Sequence, residues 1–147
     1  MKHHYFYKDV ISIEGSGTVV DLLCEVGAIE TEAKALIYGN DDFTLEIYEG
    51  ATATTGTPIT GYACNREDDR AHMLTLSSAP SVSNAGTLIW KSRTAAGKNN
   101  TGVTQGINYI FEVKKNTKYI WRITKNAAGT HWVDVDFFWS EINPNAI

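Results

Sequence analysis

Residues 131–139 read HWVDVDFFW, and the fold turns on their alternation. Val133, Val135, Phe137 and Trp139 fall on one face of an extended chain. Asp134 and Asp136 fall on the other, with Trp132 and Phe138 at its ends. Period two is the pattern of a strand with one buried face. It recurs in Phe43–Glu49, where Phe43, Leu45 and Ile47 oppose Thr44 and Glu46, and again in Tyr109, Phe111, Val113 and in Tyr119, Trp121, Ile123. Between these last two runs lies Lys114-Lys-Asn-Thr117, a short polar turn whose Asn can take a positive φ, which predicts a hairpin. Asn126-Ala-Ala-Gly129 then turns the chain into the final strand. The expectation is a three-stranded meander over the C-terminal part of the chain.

Working outward, further strands are predicted at His4–Ile13, Met73–Ser77 and Thr87–Ser92, and Gly39-Asn-Asp-Asp42 is a turn before the Phe43 strand. From Asp21 to Ile37, the residues Leu22, Val26, Ile29, Ala33 and Leu36 match helical spacing about as well as a strand–turn–strand reading does. Gly27 weakens the helix, so two strands, Thr18–Glu25 and Thr31–Tyr38, are preferred. The total is about eight or nine short strands with turn signals every 8–12 residues and no clear helix. That predicts an all-β fold, an antiparallel β-sandwich of jelly-roll type.

The 147 residues suit one domain, 1–147, large enough to bury roughly 70% of its unfolded surface without disulfide or metal. A net charge of −4 gives no reason to expect nucleic acid or an anionic membrane as partner. No apolar run approaches the roughly 20 residues of a bilayer span. The N-terminal MKHHYFYKDV carries neither a continuous apolar segment of signal-peptide length nor a small-residue cleavage site, so the cytosol is the expected compartment of synthesis. Cys24 and Cys64 are distant in sequence and make no CxxC pair, which suits two free thiols.

No arrangement of residues reads as an enzyme. The four histidines, His3, His4, His72 and His131, show no metal-binding spacing. Asp134 and Asp136 lie about 7 Å apart on one strand, a spacing open to sugar hydrolysis or calcium but common on a solvated face. Ala96-Gly97-Lys98-Asn99 lacks the upstream glycine of a phosphate loop and reads as a polar loop tip, and Gly15-Ser-Gly17 is not a nucleophile elbow. No catalytic, cofactor or metal residue is assigned. The aromatics say more. Tyr5, Phe6 and Tyr7 are consecutive, so both faces of the first strand carry a ring, which calls for a second layer or a partner. Residues 1–13 are therefore a candidate interaction segment. Trp132 and Phe138, on the Asp134/Asp136 face, are a candidate sugar platform.

The long polar stretch IYEGATATTGTPITGYACNRE, Ile47–Glu67, completes the reading. It contains Tyr48-Glu49, Thr57-Pro-Ile-Thr60 and Asn65-Arg66. Ala79-Pro-Ser-Val82, Gly86-Thr-Leu88, Asn116-Thr-Lys-Tyr119 and Phe138-Trp-Ser-Glu141 follow in order. Over roughly residues 43–141 this series resembles a widespread family of small β-sandwich virion proteins of tailed bacteriophages. The chain departs from that pattern at Asn65-Arg-Glu-Asp68 and Tyr109-Ile-Phe111. The resemblance implies a non-enzymatic capsid decoration, or cement, protein on the outer face of the head. It would be a homo-oligomer, with a trimer expected, and would bind the major capsid protein or other virion proteins. Asn65 and Arg66 join Tyr5, Phe6 and Tyr7 as candidate contact residues, and the polar stretch becomes a surface connection, not a lid. The alternative is a carbohydrate- or receptor-binding module of a phage tail or head fibre.

Overall fold

A computed structural model describes residues 2–39, 41–94 and 103–142, with the backbone alone described over 103–110. The chain is all-β. Its strands are β1 (Lys2–Glu14), β2 (Val19–Glu25), β3 (Glu30–Gly39), β4 (Phe43–Glu49), β5 (Thr52–Thr54), β6 (Thr57–Ile59) and β7 (Tyr62–Ala63). They continue with β8 (Thr75–Ser78), β9 (Ser81–Asn84), β10 (Thr87–Arg93), β11 (Val103–Val113), β12 (Lys118–Lys125) and β13 (Thr130–Ile142). A five-stranded sheet runs β11-β3-β13-β1-β7, a six-stranded sheet runs β10-β4-β12-β2-β8-β6, and β5 pairs with β9 alone.

The topology follows from one long antiparallel ribbon. β1 pairs with β13, β2 with β12, β3 with β11 and β4 with β10, so the N-terminal half of the chain lies along the C-terminal half. The ribbon then wraps so that β13 also meets β3 and β12 also meets β4. Eight strands wound this way into two sheets are a jelly roll. Residues 21–37 are strand, turn and strand, as preferred from sequence. The helical spacing of Leu22 and Ala33 arises because each faces the core from a different sheet.

The predicted C-terminal meander does not form. β11 and β13 share a sheet but are separated by β3, and β12 belongs to the opposite sheet. Residues 114–117 do turn, with Asn116 at φ 54°. Their backbone bonds go to the β2–β3 connection, Asn116 N–H donating to Gly27 O at 2.9 Å and Val26 N–H to Thr117 O at 3.0 Å. A turn rich in Lys and Asn suits a crossing between sheets as well as a hairpin, and alternation says which side is buried, never which strand is the neighbour.

Inward residues of both sheets form the main core. Phe43, Leu45 and Ile47 of β4, Tyr119, Trp121 and Ile123 of β12, and Val133, Val135, Phe137 and Trp139 of β13 are all buried. Trp121 meets Phe137 edge-on at 4.1 Å between centroids, a favoured arrangement for ring quadrupoles. Leu23 and Ile120 break the alternation. They point out of the six-stranded sheet and are fully buried under Ala53 of β5, with Ala51, Val82 and Tyr48 beside them. The polar excursion after Glu49 is thus a strap. It crosses the outside of one sheet as β5, then lines the far edges of both sheets as β6, β7 and β8.

Two glycines fix its path. A Cβ on Gly61 would lie 2.4 Å from the Trp139 ring, and one on Gly56 would lie 2.0 Å from Ser78 O. Only glycine lets the strap pass that close. Cys24 is buried, which pushes its thiol pKa up, and Cys64 is exposed; both are free. The 96–99 loop tip lies outside the described residues.

Candidate functional site

The two sheets differ on their outer sides. On the six-stranded sheet, Asp21, Arg122, Glu46 and Lys91 form one row across β2, β12, β4 and β10 with alternating charge. Arg122 donates to both Asp21 oxygens at 2.9 and 3.0 Å, its guanidinium lies 5.4 Å from the Tyr48 ring, and Lys91 is 4.0 Å from Glu46. The next row, Leu23 and Ile120, lies under the strap. The charged groups of this row pair with one another, and the strap covers Leu23 and Ile120 but leaves Val19 and Leu88 at the sheet's margins exposed.

The outer side of the five-stranded sheet is different. Even-numbered residues of β1, β13 and β3 point outward, and register places them in rows. Tyr62, Phe6, Phe138 and Lys34 form one row; Lys8, Asp136 and Leu36 the next; Val10, Asp134 and Tyr38 the third; Ser12 and Trp132 the last. Phe6 lies 6.1 Å from Tyr62, Phe138 stacks on His4 at 5.7 Å, and Arg66 stands 5.0 Å from the Tyr62 ring as a cation–π contact. A shallow hollow of about 330 Å³ opens between Phe6, Lys34, Leu36, Asp136 and Phe138. At the other end Trp132 is 61% exposed, Val10 47% and Tyr38 44%. No described element covers this sheet face.

The sequence candidates divide by parity. Phe6 points outward as a contact residue must. Tyr5 does not: it is 2% exposed and stacks on Trp139 at 5.5 Å, inside the sandwich. Tyr7 also faces inward, half-buried, with its hydroxyl donating to Asp9 at 3.2 Å. Burial and then Asp9 push its pKa up to about 12. The second layer that a ring on each face requires is thus supplied by the protein itself for two of the three. Asn65 organises a turn, its side-chain oxygen accepting from Glu67 N–H at 3.2 Å and its carbonyl from Asp68 N–H at 2.9 Å. Arg66 reaches the face through Tyr62. Trp132 and Phe138 are on the same face but six residues apart, about 20 Å at strand rise, so they do not form one sugar platform.

Sequence reading missed Tyr62, Lys34, Leu36 and Tyr38. A signal existed in Leu36-Ile37-Tyr38, which is apolar without alternation, as a strand with both sides in use would be. Elsewhere, a groove of about 500 Å³ lies between the start of β1 and the strap, lined by His3, Asp68 and Arg70 among others. His3 Nδ1 is 3.2 Å from Asp68. The Arg70 backbone N–H, then the Arg70 and His3 side chains, hold the Asp68 carboxyl below its usual range. These groups satisfy one another. Among the described residues no three His, Cys, Asp or Glu side chains gather as a metal site would need.

Fold and face together define a jelly-roll sandwich whose five-stranded sheet presents, among the described residues, an aromatic surface open to solvent. No protein-family model matches the chain, and no curated protein matches it.

Proposed function

We propose that the chain is a non-enzymatic structural protein of a tailed-bacteriophage virion, a decoration protein on the outer face of the head. It would be made in the host cytoplasm and act as a homo-oligomer against the major capsid protein, with neither nucleic acid nor membrane as partner. The observation that carries this reading is the exposed corner of Val10, Tyr38 and Trp132 on the open face of the five-stranded sheet, taken with the motif series over residues 43–141. Exposed apolar patches on small proteins mark contact sites. Many weak contacts of this kind, repeated over a lattice, stabilise a shell by avidity and apolar burial.

Deleting the first residues would be a poor test, because β1 is an interior strand bonded to β13 along its whole length. Point changes are better. Trp132→Ser combined with Tyr38→Ser is expected to lower occupancy on purified capsids about tenfold, with the fold retained by circular dichroism. Undiminished occupancy rejects the role.

One observation favours the carbohydrate- or receptor-binding alternative: Trp132 is the most exposed large apolar side chain described, and it stands two residues from Asp134, a ring beside a hydrogen-bonding carboxylate. The same double variant, screened on a glycan array against the parent, separates the readings. Sugar binding that depends on Trp132, with no capsid binding, selects the alternative.

A further inference from the structure

We propose that the other half of this face, around Phe6 and Phe138, packs against the same face of a second copy of the chain. The two copies would be related by a two-fold axis that runs along the strands, midway between β1 and β13. This goes beyond the virion role and does not depend on it.

The register dictates the choice of axis. A two-fold contact is self-complementary, so each residue must suit the residue that the axis brings opposite it. With the axis between β1 and β13, each β1 residue lies over the β13 residue of its own row in the second copy. Lys8 then faces Asp136, and Phe6 faces Phe138. One strand further out, Lys34 of β3 is brought toward Tyr62 of β7, at the edge of the contact. The Lys8–Asp136 and Phe6–Phe138 pairings join groups that attract, and each occurs twice. An axis directly over β13, or one crossing the strands at the Lys8 row, would instead set Asp136 against Asp136. Like charges opposed at an interface cost several kcal/mol, so those arrangements are disfavoured.

The size sets the strength of the contact. β1, β13 and β3 at a spacing of about 4.8 Å, each offering roughly eight residues at 3.4 Å, give about 400 Å² per copy, to which the two-residue β7 adds little. The pair would bury roughly 800 Å² in total, in the range of weak, reversible contacts. Trp132 stands three rows from Phe6, near the end of β13, and Tyr38 lies on β3, where the second copy offers only the two-residue β7, so both stay at the rim, where the shell or glycan contact proposed above can still reach them. The outer side of the six-stranded sheet offers no comparable continuous surface, since its charged row is internally paired and the strap crosses its middle over Leu23 and Ile120, which leaves Val19 and Leu88 apart at its margins.

The test uses two charge reversals, Lys8→Asp and Asp136→Lys, in the full-length protein, with sedimentation velocity as readout. The parent is expected to be a dimer at concentrations up to about 100 µM, a range in which even a modest interface of this area associates. Each single variant is expected to dissociate at least about tenfold more readily, because it places like charges opposite one another twice. The decisive sample is the equimolar mixture. There the new carboxylate of the Lys8→Asp protein meets the new ammonium of the Asp136→Lys protein. The unchanged Asp136 of the former meets the unchanged Lys8 of the latter, so two proteins that fail to self-associate are expected to form a heterodimer. A purely intrachain effect of either substitution cannot give that result. Circular dichroism checks that each variant folds, as expected for an exposed cross-strand pair whose contribution is at most about 1 kcal/mol. The Lys8→Glu and Asp136→Arg pair carries the same test should one reversal not fold. A monomeric or trimeric parent overturns the proposal, as does a mixture of folded variants that stays monomeric. Capsid occupancy is measured separately. A dimer that does not bind capsids refutes the virion role alone, and a monomer that binds them refutes only this interface.

Discussion

Replacing Glu141 by alanine is expected to remove about 4 kcal/mol of folding stability, a large part of the roughly 5–15 kcal/mol that a domain this size possesses. Glu141 is 2% exposed near the end of β13. One carboxylate oxygen accepts from Met73 N–H at 2.8 Å; the other accepts from Leu74 N–H at 2.8 Å and from Trp139 Nε1 at 3.1 Å. Alanine would leave three donors without an acceptor in or at the edge of a dry core. Each such orphan costs about 1–3 kcal/mol. The loss is also local in character, because these bonds pin the returning end of the strap. His72, one residue before Met73, sits edge-on to Tyr5 at 5.4 Å and to Trp139 at 5.3 Å, and this packing depends on the same anchor. Urea denaturation gives the magnitude, and limited proteolysis between residues 64 and 73 reads the strap directly. Glu141→Gln keeps one acceptor but turns an amide toward N–H groups, so about half the loss is expected. A change below about 1 kcal/mol for the alanine variant would mean that the strap is held by its other contacts alone.

How far such features were legible follows from what each one writes into the sequence. Strands whose inner side meets the core announce themselves, as Phe43–Glu49 and His131–Trp139 do, because burial on one side imposes period two. The partner of a strand leaves no such trace. The 114–117 turn could close a hairpin or cross between layers, and only the match of β12 to β2 and β4 decides it. From sequence the strap reads as a surface connection between two strands, whereas the chain forms β5, β6 and β7 within it. Its packing was hidden because β5, β6 and β7 are two or three residues long, too short to show a period, while what they cover is recorded elsewhere, in Leu23 and Ile120. The same logic sorts the candidate contact residues. Parity along β1 sends Phe6 outward and Tyr5 inward, but Tyr62 and Arg66 reach the face only because the strap returns beside β1, which no local pattern foretells. Glu141 stood in the quoted motif series without a role; its bonds to Met73 and Leu74 give it a structural one in this chain.

The second large effect is expected at the opposite end of the sandwich, where Lys125 is buried completely. Its ammonium donates to Asp41 Oδ2 at 3.0 Å and to the carbonyls of Ala127 and Ala128 at 2.5 and 3.3 Å, over the ring of Phe43. Asp41→Ala removes the countercharge and is expected to cost about 3–5 kcal/mol, since a buried cation left unpaired is far worse than no ion pair at all. For the same reason Lys125→Met should cost less, and the double variant Asp41→Ala/Lys125→Met should lose clearly less than the sum of the two. Strict additivity in that cycle would mean the ions are not coupled. The pair also predicts a pH dependence. Burial acts to raise the Asp41 pKa, but the Lys125 hydrogen bond, the Asp42 backbone N–H and His131 outweigh it, and the folded value is lowered. Asp42 is lowered as well, chiefly by Arg93 and, against some desolvation, by Asn126. A carboxyl with a depressed folded pKa binds protons more readily when unfolded, so its stabilisation is complete above the unfolded value of about 3.9 and is lost as pH falls through the folded value. Stability of the parent should therefore decline from about pH 5 downward. The Asp41→Ala/Lys125→Met variant, which lacks the most buried of these carboxylates, should show a shallower decline over the same range. Equal slopes for the two proteins would assign the acid sensitivity to carboxylates other than Asp41.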